Sequence, residues 1–194
     1  MPDRTIGTGS AGRLLVATPL LTDPNFDRTV VLVCFHDASG AFGIVLNRPV
    51  EARASDLVPG WEDLISEPAA LHAGGPVERS SFLALGRMEA GEDETQSAGI
   101  EWWTSLGRGL GLVNLAADPE EAEDLEDLRI FHGYAGWGGG QLDAEIGEHA
   151  WFVVDADPFD PFTPRPDRLW NAVLQRQRGD LAMYGHYPAD PKVN

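Results

Sequence analysis

The chain has 194 residues, of which 43% are hydrophobic and 23% charged, proportions that suit one ordinary globular domain with a core needing no covalent staples. Its formal charge is −17, with thirteen arginines and one lysine, Lys192, against 31 acids, a balance that argues against direct nucleic-acid binding and against attraction to anionic membranes. The single cysteine, Cys34, excludes an internal disulfide, no apolar run reaches the ~18 residues of a membrane span, and the first ten residues hold no apolar signal core, so elimination leaves a cytoplasmic protein.

Residues 1–11 are rich in Gly, Ser and Thr and predict a tail, residues 12–180 a single domain, and residues 181–194 a C-terminal tail. Leu14 to Thr18 and Thr29 to Phe35 are apolar runs with β-branched residues and predict buried strands. Between them Leu-Thr-Asp-Pro-Asn-Phe is a turn cluster closed by an aromatic. His36 to Gly40 makes a second turn into a strand over Ala41 to Asn47, where Gly43 predicts a bulge or a close backbone neighbour. Ser55 to Ile65 predicts a short helix or helical turn broken at Pro59 and Gly60. Leu71 to Val77 and Ser81 to Arg87 predict strands around Gly74-Gly75-Pro76. Glu89 to Gly99 has no apolar pattern and predicts a mobile surface loop, and Gly111 to Leu115 another strand.

Asp118-Pro119-Glu120-Glu121 carries a helix-start signature of N-cap, N1 proline and early acids, and Ala122, Leu125 and Leu128 extend it as a threefold apolar stripe. A strand over Ile130 to Ala135 follows. Phe131 to Leu142 then holds five glycines among large aromatics, a composition that predicts a packed turn and not a linker. Gln141 to Ile146 predicts a helix, Trp151 to Val154 a strand, Asp155 to Arg165 irregular chain, and Leu169 to Gln177 a final helix with a broad apolar face. Strand hairpins interrupted by few helices predict an α+β fold.

The motifs that point to a specific chemistry fail on context. Gly7 to Gly12 matches G-x-G-x-x-G, but a dinucleotide fingerprint follows a strand and opens a helix, whereas here a strand comes after it. Cys34 and His36 lie at i and i+2, which on a strand puts their side chains on one face, yet Cys34 lies in a Val/Leu run where cysteine behaves as a small hydrophobe. His36, His72, His132, His149 and His186 show no paired metal spacing, and Asp155 to Asp160 lacks the glycine and glutamate of a calcium loop, so that segment reads as a solvated turn. No cofactor and no metal are expected. Arg165, Arg168, Arg176 and Arg178 form the nearest approach to a basic cluster and predict a solvated helix face. Trp61, Trp102 and Trp103 suit either an exposed apolar patch or the core, and the oligomeric state is not readable.

Several segments together resemble the bacterial AlgH/YqgE (UPF0301) family. They are Gly12 to Ala17 with Asp23-Pro24-Asn25-Phe26, Gly40 to Pro49, Gly74-Gly75-Pro76-Val77, and Gly133-Tyr134-Ala135-Gly136-Trp137 running into Gly140-Gln141-Leu142. They occur in the family's order across nearly the whole chain. The resemblance implies a single α+β domain with a split β-sheet curled into a pseudo-barrel, flanked by a few helices. It implies no mechanism. One branch of the family is labelled a transcriptional regulator of alginate production, a role that the charge of −17 disfavours here. The chain also departs from the pattern, with Gly139 where many members have proline and no histidine near Leu85 and Gly86.

Asn47-Arg48-Pro49, Gly74-Gly75-Pro76 and the stretch from His132 to Gln141 each end a predicted strand. If the barrel brings them together, Asn47, Arg48, Gly74, Gly75, Pro76, His132, Gly133, Tyr134, Trp137 and Gln141 are the candidate pocket for a small ligand or a protein partner. The competing reading makes the glycines turn formers, Tyr134 and Trp137 core, and Asn47 and Gln141 backbone partners. The expected function is a non-catalytic binding or regulatory module. Its rivals are an enzyme acting on a small anionic substrate through His132 and Arg48, and direct transcriptional regulation.

Overall fold

A computed structural model of the chain describes residues 9–88 and 101–186. Ten strands and three short helices are present among them: β1 (Arg13–Ala17), β2 (Val30–Asp37), β3 (Gly40–Val45), β4 (Pro49–Arg53), β5 (Ala70–Ala73), β6 (Val77–Met88), β7 (Trp103–Gly107), β8 (Leu110–Val113), β9 (Leu125–Gly138), α1 (Gln141–Gly147), β10 (Trp151–Asp155), α2 (Leu169–Gln175) and α3 (Asp180–Tyr184). The loop expected over Glu89 to Gly99 lies outside the described residues.

The sheet runs β10-β1-β2-β3-β9-β6-β8-β7, with β5 pairing β9 and β4 pairing β5 beside that path. Strand β9 joins its two halves. Its C-terminal end, Ala135 to Gly138, pairs antiparallel with β3, while Leu125 to Tyr134 pairs with β6. At Phe131 and His132 it also pairs, in parallel, with β5. The split therefore falls around Gly133, whose φ of 67° suits glycine and whose added Cβ would lie 2.6 Å from the Gly75 carbonyl oxygen. The result is the expected α+β fold, a curled antiparallel sheet with a few helices.

Burial explains the continuous apolar runs. Leu14 and Val16 of β1 face one cluster with Leu32, Ile44, Trp170, Val173 and Leu174, while Leu15 and Ala17 face another with Val31, Val45, Trp137, Leu142 and Trp151. A strand covered on both faces needs no polar alternation. Leu181 and Tyr184, set by the sequence in a tail, pack against the first cluster. The third cluster fills the other half of the sheet and contains Trp61, Trp102 and Trp103, each at most 6% exposed. These tryptophans are core, not an exposed patch.

The helix expected from Asp118 is corrected. Asp118 does cap, its carboxylate accepting from Glu120 N at 3.0 Å, but the helical turn covers only Pro119–Glu121. Leu125 and Leu128 belong to the long strand β9, because β6 offers hydrogen bonds along its length and cluster burial outweighs a local start signal. The Gly-rich stretch is likewise mostly strand, since Gly136 and Gly138 pair with Phe42 and Gly40, leaving only Gly139 and Gly140 as the turn into α1. Strands β4 and β7 and helix α3 had no sequence signal strong enough to predict them.

Two other expectations shift. Asp160 is not in a solvated turn: it is 6% exposed and takes both Arg176 guanidinium nitrogens at 2.5 and 2.6 Å. Cys34 and His36 do not stand in a regular strand. Val33 pairs with Gly43 and Phe35 with Phe42, so Cys34 is the extra residue of a bulge. Burial pushes its thiol well up from the ordinary value. His36 is engaged elsewhere, its Nδ1 accepting from Ser10 N at 3.0 Å. No described helix is long and apolar enough to cross a membrane.

Candidate functional site

Where the sheet splits, a cleft of about 370 Å³ opens among β3, β4, β5, β6 and β9. One wall is the turn that follows β1. Asp23 shapes it, its Oδ1 accepting from the Asn25 amide at 2.8 Å and from the Asn25 side chain at 3.1 Å, an Asx turn that leaves Pro24 and Asn25 lining the cleft. Phe26 anchors the turn by packing edge-on against Trp151 at 5.5 Å and near Trp137 at 6.3 Å.

Arg48 enters from the β3–β4 connection. Asn47 fixes that connection, with Oδ1 accepting from Val30 N and Nδ2 donating to the Arg28 carbonyl, both at 2.9 Å. Arg48 Nη2 donates to the Asp27 carbonyl, laying its guanidinium across the wall. Gly75 and Pro76 form the opposite side. Gly75 has φ 154° and its backbone lies against Tyr134 so closely that an added Cβ would sit 2.1 Å from the Tyr134 carbonyl carbon. No other residue fits there.

Arg79 and His132 complete the lining. The register of β6 against β9 jumps from Val77–Tyr134 to Phe82–His132, so residues 78–81 bulge from the ladder, with Glu78 at φ 45°. Such bulges re-aim side chains. Here the bulge brings Arg79 to the cleft, its Nη2 3.5 Å from Asn25 Oδ1, and places its carbonyl 3.3 Å from His132 Nδ1. A carbonyl can only accept, so Nδ1 carries the proton and Nε2 is left for other partners.

Among the described residues the charged side chains lining the cleft are thus Arg48 and Arg79, joined by the imidazole of His132, with no Asp or Glu beside them. In a chain of net charge −17 this is a local inversion of sign. Apolar surface from Val45, Val50, Pro24 and Pro76 surrounds it. Preorganised guanidinium groups beside small apolar surface can hold a carboxylate or phosphate in bidentate fashion.

Of the residues singled out by sequence, Arg48, Gly75, Pro76 and His132 meet in this cleft. Asn47, Gly74 and Gly133 support it from behind: Gly74 N donates to the His132 carbonyl and its own carbonyl accepts from Val45 N, both at 2.8 Å. Tyr134, Trp137 and Gln141 do not line it. Tyr134 packs edge-on against Phe42 at 5.1 Å, and Trp137 is 6% exposed in the cluster beneath α1. Gln141 caps the β9–α1 turn, accepting from Gly138 N at 3.1 Å. Arg79, Pro24 and Asn25 were absent from the sequence-based set. The Asp-Pro-Asn turn and the arginine two residues after Gly-Gly-Pro-Val were visible, but only the bulge brings them together. Among the described residues no group of three His, Cys, Asp or Glu is placed to hold a metal ion.

The sequence profile of the AlgH-like family matches residues 14–182. UPF0301 proteins of Streptomyces avermitilis and Streptomyces coelicolor are 50% and 49% identical over 184 and 185 residues, in each case 94% of this chain and 94% of the relative. The crystal structure of a Corynebacterium diphtheriae protein superposes with a TM-score of 0.84 at 34% identity, covering 91% of each chain. The solution structure of the AlgH protein from Pseudomonas aeruginosa superposes at 0.66 with 27% identity, covering 98% of this chain and 100% of that one.

Proposed function

For a chain that belongs to the AlgH-like (UPF0301) family, we propose that the cleft at the sheet split binds a small anionic ligand, and that the chain is a cytoplasmic, non-catalytic binding module. The observation that carries this reading is the pairing of Arg48 and Arg79 with His132 in a cleft that no carboxylate lines among the described residues, on a chain of charge −17. Each guanidinium is held by one terminal nitrogen, Arg48 on the Asp27 carbonyl and Arg79 on the Asn25 amide oxygen, and a guanidinium carries five N–H donors in all. Three of the segments that carry the family resemblance reach this cleft, through Pro24 and Asn25, through Val45, Arg48 and Pro49, and through Gly75 and Pro76.

Binding is favoured over catalysis because, among the described residues, no Ser, Thr, Cys or Lys lines the cleft beside His132 as a side-chain nucleophile for the imidazole to activate. The enzyme reading keeps one point in its favour: among the described residues the Nε2 of His132 has no hydrogen-bond partner, and the ring shares the cleft with Arg48. The test is calorimetric titration of the protein with phosphate, acetate and succinate. At least one should bind, and both Arg48→Ala and Arg79→Ala should weaken it tenfold or more. Unchanged affinity in both variants would remove the reading. Turnover of small phosphate or carboxylate esters, lost in His132→Ala, would favour the enzyme instead.

A further inference from the structure

The cleft continues into an open sheet edge. Strand β4 leaves it at Pro49 and Val50, and all its residues but Val50 are exposed. Among the described residues β4 is hydrogen-bonded on one side only, by β5. An unpaired edge offers its amides and carbonyls to any extended chain, and peptide-binding domains use such edges with a pocket that fixes the register. Here the pocket at the end of the edge is cationic, through Arg48 and Arg79, and bordered by Val45, Val50 and Pro76.

We propose that the cleft takes the free C-terminal carboxylate of an extended peptide whose preceding residues add to the sheet along β4. The carboxylate lies between Arg48 and Arg79, and the terminal side chain is small and apolar, against Val45, Val50 and Pro76. A carboxylate matches the guanidinium fork, and a peptide backbone supplies the donors and acceptors that β4 lacks on its open side. The charge of −17 selects against acidic residues upstream in that peptide. This inference rests on the anion-binding reading but is separable from it, since a free carboxylate metabolite shares the pocket chemistry without needing β4.

The test uses the full chain, labelled with ¹⁵N, titrated with four probes: the peptide acetyl-Ala-Thr-Val-Thr-Ala-Val as free acid, the same peptide as C-terminal amide, acetyl-valine, and inorganic phosphate. The free-acid peptide should bind at least tenfold more tightly than each of the other three, with amide resonances of Glu51 to Arg53 shifting and becoming protected from exchange. Arg48→Ala combined with Arg79→Ala, checked by its spectrum to be folded, should reduce the acid peptide to the affinity of the amide. Equal binding of acid and amide overturns carboxylate recognition. Acetyl-valine or phosphate binding as tightly as the peptide, with β4 unmoved, overturns the added strand and leaves the anion reading standing. No response to any probe overturns both.

Discussion

Arg48, in the β3–β4 connection, and Arg79, in the bulge of β6, reach the same turn: Arg48 Nη2 donates to the Asp27 carbonyl, and Arg79 Nη2 lies 3.5 Å from Asn25 Oδ1. The turn thus acts as a shared brace for both cations. Asn25→Ala removes the brace from Arg79 without changing charge. It should weaken anion binding by about threefold, less than Arg79→Ala, and should add nothing to an Arg79→Ala background, as a double-mutant cycle on calorimetric affinities will show.

His72, in β5 next to the cleft residue Ala73, is fully buried, with Nδ1 3.0 Å from the Ala70 carbonyl. Burial, and then the nearby Arg129 guanidinium, pull its pKa from 6.5 down to about 4. The folded state therefore binds fewer protons than the unfolded one between those values, so stability falls as pH drops through that window. Roughly 2 kcal/mol should be lost between pH 7 and pH 5 through this residue. Urea denaturation at both pH values, compared with His72→Gln, checks it: the variant should lack this share of the pH dependence.

Glu145 Oε2 accepts from Trp137 Nε1 at 2.9 Å and from Trp151 Nε1 at 2.8 Å. One carboxylate on α1 therefore ties β9 to β10. Glu145→Ala leaves two part-buried indole donors unmet and should cost about 2–4 kcal/mol. Glu145→Gln, which keeps an acceptor oxygen, should cost less than half as much. Urea midpoints followed by tryptophan fluorescence measure both.

Gly75→Ala places a methyl group against the Tyr134 backbone at a φ of 154°. The clash is with the main-chain peptide group between Tyr134 and Ala135 and cannot be relieved by a rotamer change. We expect a loss of about 3 kcal/mol or more. Gly147→Ala is the control, because nothing lies within 4 Å of its added Cβ. Its thermal midpoint should stay within about 2 °C of the parent.

Cys34 should be inert in the native protein. Burial disfavours the thiolate, and the Sγ lies 3.7 Å from the Leu32 carbonyl oxygen. A thiol-reactive disulfide reagent at pH 8 should modify the native chain at less than about a tenth of the rate seen in urea. Rapid native labelling would contradict the burial.

The strands at Leu14, Val30, Ala41 and Trp151 and the helices at Gln141 and Leu169 were legible because their apolar runs and glycine boundaries act locally. The helix expected after Asp118 shows where locality ends: the cap formed, but β6 recruited Leu125 and Leu128 into a long strand. The exposed β4 was silent for the opposite reason, since Pro49, Glu51 and Arg53 have little strand propensity and it forms only against β5.

The sequence alone determined the acidic charge, the α+β fold class, the family, and the glycines that mark the strand ends. Only tertiary structure decided which of those ends meet. Arg48, Gly75, Pro76 and His132 share a cleft, whereas Trp137 packs with Leu142 and Trp151 and Gln141 accepts from Gly138 N at the turn into α1. The reason is the split in the sheet at Gly133 and the bulge at Arg79, where register shifts redirect side chains. A register shift depends on which strands pair, and a one-dimensional pattern does not encode that pairing.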